Sequence, residues 1–188
     1  MEIRQLTANH IPHIPTVISG YQTGEIYQVG YADEQKETAL TLHLITLPKA
    51  ISKRFPPLEP DDLERYRPIP AQGFSFGLFN QGTLVGVALA EPMHWNGSLW
   101  VWEFHIASGY RGEGWGRLLM TRLIAQAQTA RLRTITCETQ NTNIPAIRFY
   151  RRMGFRVEGI DISYYSNDDL NPDREVAVFM KRRLGVGD

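Results

Sequence analysis

Short runs of alternating apolar and polar residues recur along much of the chain, and this pattern predicts strands. The runs lie at residues 2–6, 25–31, 38–47, 74–79, 83–91 and 99–106. In the run at 38–47, Ala39, His43 and Leu47 also fit one face of a helix, but the alternating leucines favour a strand. Turn sequences at residues 80–82 and 95–97 separate the last three runs, so we expect an antiparallel meander there.

Two segments of the second half have the spacing of amphipathic helices. In the first, from residue 114 to about 130, the apolar positions are Trp115, Leu118, Leu119, Leu123 and Ala127. The second begins near Asn143 and ends at Gly154, a residue that often terminates helices. Further strands are predicted at 133–139, 155–163 and 175–182. This mixture of strands and helices indicates the α/β class.

Prolines interrupt the pattern in the first part of the chain. Residues 9–20 combine prolines with scattered histidines, which predicts a broken helix. Residues 48–72 contain most of the chain's prolines, so we expect an irregular loop with one helical turn at 61–66. Such a loop is suited to covering a substrate. The fold of residues 8–72 is otherwise left open by the sequence.

Composition narrows the class of protein further. The chain has 188 residues, 43% of them hydrophobic, with a formal net charge of +0, which suits one globular domain over residues 1–188. The absence of a basic cluster argues against a nucleic-acid partner. We expect a cytoplasmic protein without a membrane partner, because no apolar run reaches membrane length and the first residues lack a secretory pattern.

The reactive residue types are few and dispersed. One cysteine, Cys137, allows no internal disulfide and no thiolate cage, and the five histidines are not paired at ligand spacing. We therefore expect no metal. An organic cofactor fits the composition better.

The glycines at positions 112, 114 and 116 follow the strand at 99–106 and open the helix that begins at 114. Glycines in such a turn let backbone N–H groups approach an anion at the positive end of a helix. A phosphate cradle is therefore favoured over a merely flexible turn. With Glu138 about twenty residues further on, the glycines also resemble a dinucleotide-binding fingerprint, but the preceding meander fits that class poorly.

Two motifs in order resemble the GCN5-related N-acetyltransferase (GNAT) superfamily. RGEGWG at residues 111–116 fits its Arg/Gln-x-x-Gly-x-Gly/Ala pyrophosphate signature, and NIPAIRFYRRMGF at 143–155 is similar to its second motif. The segments CETQNTN and YYSNDDLNPDREVAVF look like the streptothricin acetyltransferase branch. The resemblance covers roughly the last hundred residues. It implies a mixed, mostly antiparallel sheet with splayed central strands at 99–106 and 133–139, flanked by helices.

The resemblance also implies a site for acetyl coenzyme A as cosubstrate. Its pyrophosphate would be held by the backbone of Arg111, Gly112, Glu113, Gly114, Trp115, Gly116 and Arg117. Its pantetheine arm would lie beside Phe104 and Ile106, filling the place of a missing strand. Asn143 is assigned to the cofactor arm or a bridging water, and it serves equally well as a plain helix N-cap.

The chemistry implied is direct attack of an amine on the thioester in a ternary complex. Tyr150 stands where the family has its general acid, although an aromatic at that helical position is also an ordinary core residue. Glu103 is the first candidate for the base, or for binding a cationic substrate, and Glu138 is the second. His105 shares the face of Glu103 and is a further proton carrier or a surface histidine. Cys137 lacks motif support as a covalent acetyl carrier.

The expected acceptor is a primary amine on a small cationic molecule, with a streptothricin-like antibiotic as one candidate. The carboxylates considered for it are Glu103, Glu138, Asp168 and Asp169, the last two being equally suited to shaping a turn. Two alternatives stay open: a protein or peptide N-acetyltransferase, and a non-catalytic acyl-coenzyme A binding module. The sequence also leaves open whether two copies form a homodimer.

Overall fold

The computed structural model describes residues 1–185. Within that range the strands are β1 (Glu2–Gln5), β2 (Gly20–Glu34), β3 (Glu37–Arg54), β4 (Phe76–Asn80), β5 (Thr83–Met93), β6 (Ser98–Ile106), β7 (Thr134–Gln140), β8 (Arg156–Asp161) and β9 (Ala177–Arg183). The α-helices are α1 (Pro60–Tyr66), α2 (Trp115–Thr129) and α3 (Ile144–Arg152). Short 3-10 helices occupy Ala8–Thr16, Ile69–Gln72 and Ser108–Tyr110.

Seven of these strands belong to one mixed, mostly antiparallel sheet, while β2 and β3 form a separate two-stranded sheet. Together with the flanking helices, this confirms the α/β class and the sheet type predicted from the sequence. In the described part of the chain, no helix combines the length and the apolar character needed to cross a bilayer.

The chain divides into two compact units, and the first comprises Met1–Ser19, Arg54–Cys137 and residues 182–185. Its strands lie in the order β1-β4-β5-β6-β7. The β4–β5–β6 meander is antiparallel, whereas β6 and β7 pair in parallel over Ser98–Val101 and Thr134–Cys137. Apolar side chains from these strands and from the N-terminal 3-10 helix form its core, among them Leu6, Ile11, Ile14, Phe79, Val87 and Leu89.

The second unit comprises Gly20–Lys53 and Glu138–Lys181. It contains the β2–β3 ribbon, α3, and the antiparallel pair of β8 and β9. A buried asparagine, Asn141, connects its distant segments: the side-chain amide donates to the carbonyl of Tyr27 at 2.8 Å, and Oδ1 accepts the N–H of Val176 at 2.8 Å. Three stretches of this unit are therefore held through one side chain.

Several boundaries differ from the sequence predictions. Residues 48–54, predicted as part of a loop, continue β3 to Arg54. Pro48 is tolerated because a two-stranded ribbon has edges on which no backbone donor is needed. Residues 69–72 form a 3-10 helix rather than irregular loop, and β8 ends at Asp161 instead of continuing to 163.

The broken helix predicted at 9–20 is a 3-10 helix, Ala8–Thr16. Pro12 and Pro15 lie within it and lack the N–H groups that a regular α-helix would use. The helical turn predicted at 61–66 is confirmed as α1, which begins one residue earlier with Pro60 in its first turn.

Candidate active site

The glycine-rich segment after β6 has the backbone conformation that its sequence predicts. Gly112 and Gly114 have φ values of 82° and 87°, in the left-handed region that glycine adopts without strain. A Cβ atom at either position would meet no heavy atom within 4 Å. The two glycines are therefore required by the backbone itself, and the space beside them is open.

Helix α2 begins directly at this turn, with Gly114 as its N-cap residue. Its first intrahelical hydrogen bond runs from the N–H of Leu118 to the carbonyl of Gly114, at 3.1 Å. Among the described residues, no side chain caps this end and no acidic side chain lies in its first turn. The N–H groups of residues 115–117 precede the helical ladder, so the turn combines open space, backbone donors and the positive end of a helix dipole. This arrangement suits an anion such as a diphosphate.

Arg111 fastens the turn to the rest of the first unit. Its Nε donates to the carbonyl of Ile106 at 2.8 Å, and its Nη2 donates to Oγ of Ser19 at 2.7 Å. Partial burial lowers the pKa of the Arg111 guanidinium. Its side chain thus points back to the end of β6, and the residue positions the turn, whose residues 111–114 are exposed.

The other predicted cofactor-binding residues of this unit lie on β6, in the turn or at the start of α2. Phe104 and Ile106 pair with Ala88 and Gly86 across the β5–β6 ladder. The Glu113 carboxylate accepts a hydrogen bond from the indole N–H of Trp115 at 2.9 Å, which links the turn to the first residue of α2.

A three-residue cluster surrounds the predicted base on β6. The hydroxyl of Tyr66, on α1, donates to Oε1 of Glu103 at 2.8 Å, and Nε2 of His105 lies 2.8 Å from Oε2 of the same carboxylate. Only 12% of the Glu103 side chain and 15% of the His105 side chain are exposed. The ladder pairs Leu89 with Glu103 but Ala90 with Val101, so a β-bulge immediately precedes Glu103.

The side chain of Tyr66 is permanently a donor in this cluster. Burial, and next the nearby Glu103 carboxylate, raise the pKa of the Tyr66 hydroxyl. The guanidinium of Arg65 lies over the ring of Trp102 at 4.6 Å, beside Tyr66. Sequence reasoning identified Glu103 and His105 but missed Tyr66, because the contact spans 37 residues and no motif marks it.

A cavity of about 430 Å³ opens in the same unit. It is lined by Pro15, Ile18 and Ser19 and by residues 54–58. Ser19 is the residue that accepts from Arg111, and the Phe55 ring packs edge-on against the His105 ring at 5.4 Å. The cavity wall therefore contacts both the cofactor turn and the carboxylate cluster.

Tyr150 and Asn143 belong to the second unit. Tyr150 is 6% exposed, and its ring packs against Phe149 and Phe155 with centroids 5.5 Å apart in both cases. Asn143 is the N-cap of α3, with Oδ1 accepting from the N–H of Ala146 at 3.2 Å, so the predicted capping role is confirmed.

Glu138 lies in the second unit and accepts a hydrogen bond from the Tyr165 hydroxyl. Partial burial, and next the Glu138 carboxylate, raise the pKa of Tyr165, which is still 43% exposed.

Asp169 is buried and accepts the N–H of Tyr165 at 2.8 Å and the hydroxyl of Ser166 at 2.7 Å. Burial alone would raise the pKa of Asp169, but these hydrogen bonds outweigh it and lower the pKa. Asp169 therefore shapes the turn that carries Tyr165, while Asp168 is exposed.

The predicted residues thus divide between the units. The first unit brings Glu103 together with His105 and Tyr66, and it joins the turn at 111–117 to the end of β6. Glu138, Asn143 and Tyr150 lie in the second unit. Within residues 1–185, no group of three or more His, Cys, Asp or Glu side chains is placed to hold a metal ion.

The fold and this turn agree with a family comparison. Residues 42–155 match the family model of the acetyltransferase (GNAT) family. This match covers more than half of the chain and includes both motifs recognised in the sequence. The chain belongs to the acetyltransferase (GNAT) family.

Two proteins of known name are similar in sequence to part of this chain. The chain is 38% identical over 84 residues to a streptothricin acetyltransferase of Streptomyces lavendulae, covering 45% of this chain and 44% of that protein. It is 33% identical over 90 residues to a spermine/spermidine N(1)-acetyltransferase of Bacillus subtilis, covering 44% of this chain and 59% of that protein. The chain thus spans about half the length of the relatives it matches.

Two solved structures share the fold over nearly the whole chain. A nourseothricin acetyltransferase has a TM-score of 0.78 at 24% identity, covering 98% of both chains. A protein from Bacillus anthracis, solved in complex with acetyl coenzyme A, has a TM-score of 0.72 at 20% identity, covering 97% of this chain and 99% of that one. At these identities the likeness defines the fold.

Proposed function

We propose that this chain is an enzyme that transfers the acetyl group of acetyl coenzyme A to a primary amine of a small cationic molecule. The observation that carries the proposal is the open turn at Gly112 and Gly114, which leads into the uncapped start of α2. Family membership supports acetyl transfer, and relatives named for streptothricin and for spermine support an amine acceptor.

The diphosphate of the cosubstrate binds the backbone donors of residues 112–117, and Arg111 holds that turn in place. Gly112 and Gly114 carry no side chain of their own and have open space beside them, which allows a bulky anion to approach the backbone closely. The pantetheine arm lies along Phe104 and Ile106 at the end of β6. Asn143 contributes to binding the arm while it caps α3.

The chemistry needs a neutral amine and a protonated leaving group. An alkyl ammonium has a reference pKa of about 10.4, so a group in the site must remove its proton near neutral pH. The Glu103 carboxylate attracts the ammonium and belongs to the cluster that takes this proton. Tyr150 donates its hydroxyl proton to the departing sulfur. Direct attack is favoured over a covalent acetyl-enzyme, because Cys137 is 1% exposed.

The acceptor class is tested by measuring thiol release from acetyl coenzyme A with streptothricin, spermine, spermidine and a peptide with a free N-terminal alanine. Turnover with the cationic small molecules is expected. Turnover with the peptide alone would identify a peptide N-acetyltransferase instead. Binding of acetyl coenzyme A without turnover on any amine would indicate an acyl-coenzyme A binding module.

A matched glycine pair tests the cofactor turn. In Gly114→Ala, the alanine has to adopt the left-handed conformation of Gly114, which costs ~1–2 kcal/mol. If this cost disturbs the turn that binds the diphosphate, the KM for acetyl coenzyme A should rise about tenfold. Gly24→Ala is the control, because a Cβ there also meets nothing within 4 Å but its φ is not in the left-handed region. Equal effects of the two variants on KM would contradict the proposed turn.

A further inference from the structure

The Glu103 carboxylate is already engaged on both of its oxygens. Tyr66 donates to Oε1, and His105 contacts Oε2, each at 2.8 Å. An ionised carboxylate only accepts hydrogen bonds, so the contact to His105 requires a proton on Nε2. In the tautomer protonated on Nε2, Nδ1 of His105 carries the lone pair and is able to accept a proton without displacing the donors to Glu103.

Tyr66 fixes this arrangement from a different element. Its side chain is 3% exposed and lies at the end of α1, whereas Glu103 and His105 share one face of β6. Because its hydroxyl stays protonated, Oε1 of Glu103 remains occupied and the carboxylate keeps one orientation. Carboxylate, imidazole and a third orienting group follow the same logic as catalytic triads, in which a carboxylate selects the tautomer of the histidine.

The cavity beside the cluster supplies a route for the acceptor. Phe55 forms part of its wall and packs edge-on against His105, and Ser19, also in the wall, accepts from Arg111 of the cofactor turn. Its volume of about 430 Å³ falls in the range typical of small-molecule pockets. His105 contacts Glu103 on its own strand, with Tyr66 behind it, and the uncharged ring of Phe55. Two cations lie nearby: Arg54 lines the cavity beside Phe55, and Arg65 contacts Tyr66.

We propose that the cavity walled by Phe55 receives the acceptor amine and that His105, held by Glu103 and Tyr66, removes its proton. This inference rests on the proposed acetyl transfer. An N–H bond of the ammonium breaks, its electron pair stays on nitrogen, and the proton bonds to Nδ1 of His105. Glu103 balances the charge of the imidazolium, which later releases the proton to water. Tyr66 acts as a positioning residue.

Kinetics of conservative variants test this assignment. His105→Gln keeps an N–H donor toward Glu103 but has no basic nitrogen, so kcat/KM for the amine should fall about 100-fold. Glu103→Gln should lose a similar factor, and the double variant should be no worse than either single one, because the two side chains act as a unit. Tyr66→Phe should lose less, about tenfold, and should shift the acidic limb of the pH profile of kcat/KM.

Controls carry the same substitutions at exposed positions. His94→Gln lies in an exposed turn, and Tyr31→Phe alters a side chain that is 45% exposed. Both should keep the wild-type rate and pH profile. Retention of activity within twofold in His105→Gln, or losses that multiply in the double variant, would overturn the assignment and leave Glu103 as the acceptor of the proton.

A second measurement does not depend on turnover. Nitrogen-15 NMR of the His105 imidazole in the full chain should show the tautomer protonated on Nε2, and Glu103→Gln should change that signal. An imidazole protonated on Nδ1 would refute the inference even if the wild type acetylates amines. Absence of turnover by the wild type on every amine, with the expected tautomer present, would refute the proposed function and remove the acceptor from this inference.

Discussion

Each unit of the molecule contains a glutamate on a strand that accepts a hydrogen bond from a tyrosine hydroxyl. In the first unit the pair is Tyr66 and Glu103, with the tyrosine 3% exposed and the carboxylate also contacting His105. In the second unit the pair is Tyr165 and Glu138, with the tyrosine 43% exposed. The chemical groups are the same, and the exposure of the two tyrosine residues differs.

This difference in exposure indicates different roles for the two tyrosine–glutamate pairs. A buried pair holds its carboxylate in a fixed orientation, because leaving either group unpartnered would cost free energy. In a pair whose tyrosine is largely exposed, the hydrogen bond contributes less to stability, because solvent competes with it. We therefore assign proton transfer to the Glu103 cluster and, at most, cation attraction to Glu138.

Replacing each glutamate by glutamine should give the largest kinetic difference between the two pairs. Glu103→Gln should lower kcat/KM for the amine about 100-fold. Glu138→Gln should change it less than about fivefold, mainly through the KM for a polycationic acceptor and with a dependence on salt. Steady-state kinetics at low and high ionic strength measure both. Equal losses in kcat for the two variants would break the contrast.

Removal of each tyrosine hydroxyl should lower the free energy of unfolding by different amounts in the two pairs. Tyr66→Phe leaves Oε1 of a poorly exposed carboxylate without its donor and should lower the free energy of unfolding by ~1–3 kcal/mol. Tyr165→Phe should lower it by less than ~0.5 kcal/mol, since that residue is 43% exposed. Urea unfolding of the two variants compares these values directly. A larger effect for Tyr165→Phe would reverse the assignment.

The smallest effect concerns the turn that presents Tyr165. The pKa of Asp169 is lower in the folded chain, so its ionised form stabilises the fold above the unfolded value of about 3.9, and this stabilisation is lost as the pH falls through the folded value. Asp169→Asn should lower the free energy of unfolding by ~1 kcal/mol at neutral pH. The difference from wild type should shrink below about pH 4. Asp168→Asn, at the exposed neighbour, should show neither effect.

Local signals explain which features were predictable. The meander, α2 and the glycine turn follow from turn sequences, periodicity and backbone requirements within a few residues of one another. The capping role of Asn143 has a signal of the same kind, since Pro145 follows directly inside the helix. These features needed no knowledge of distant partners.

Long-range contacts explain what sequence reasoning missed. Tyr66 contacts a glutamate 37 positions away, and nothing in its local sequence distinguishes it from other tyrosines. The extension of β3 past Pro48 depends on its pairing partner, because the same proline would end a strand inside a larger sheet. The β-bulge before Glu103 likewise arises from the register of two strands.

Asn141 determines when the second unit is completed during synthesis. Its amide group contacts a residue 114 positions earlier in the chain, and its carbonyl oxygen contacts one 35 positions later. The β2–β3 ribbon therefore leaves the ribosome long before either anchor exists. Closing so long a loop is entropically slow, so this ribbon is the part of the nascent protein that waits longest for its native neighbours and is most open to chaperones and proteases.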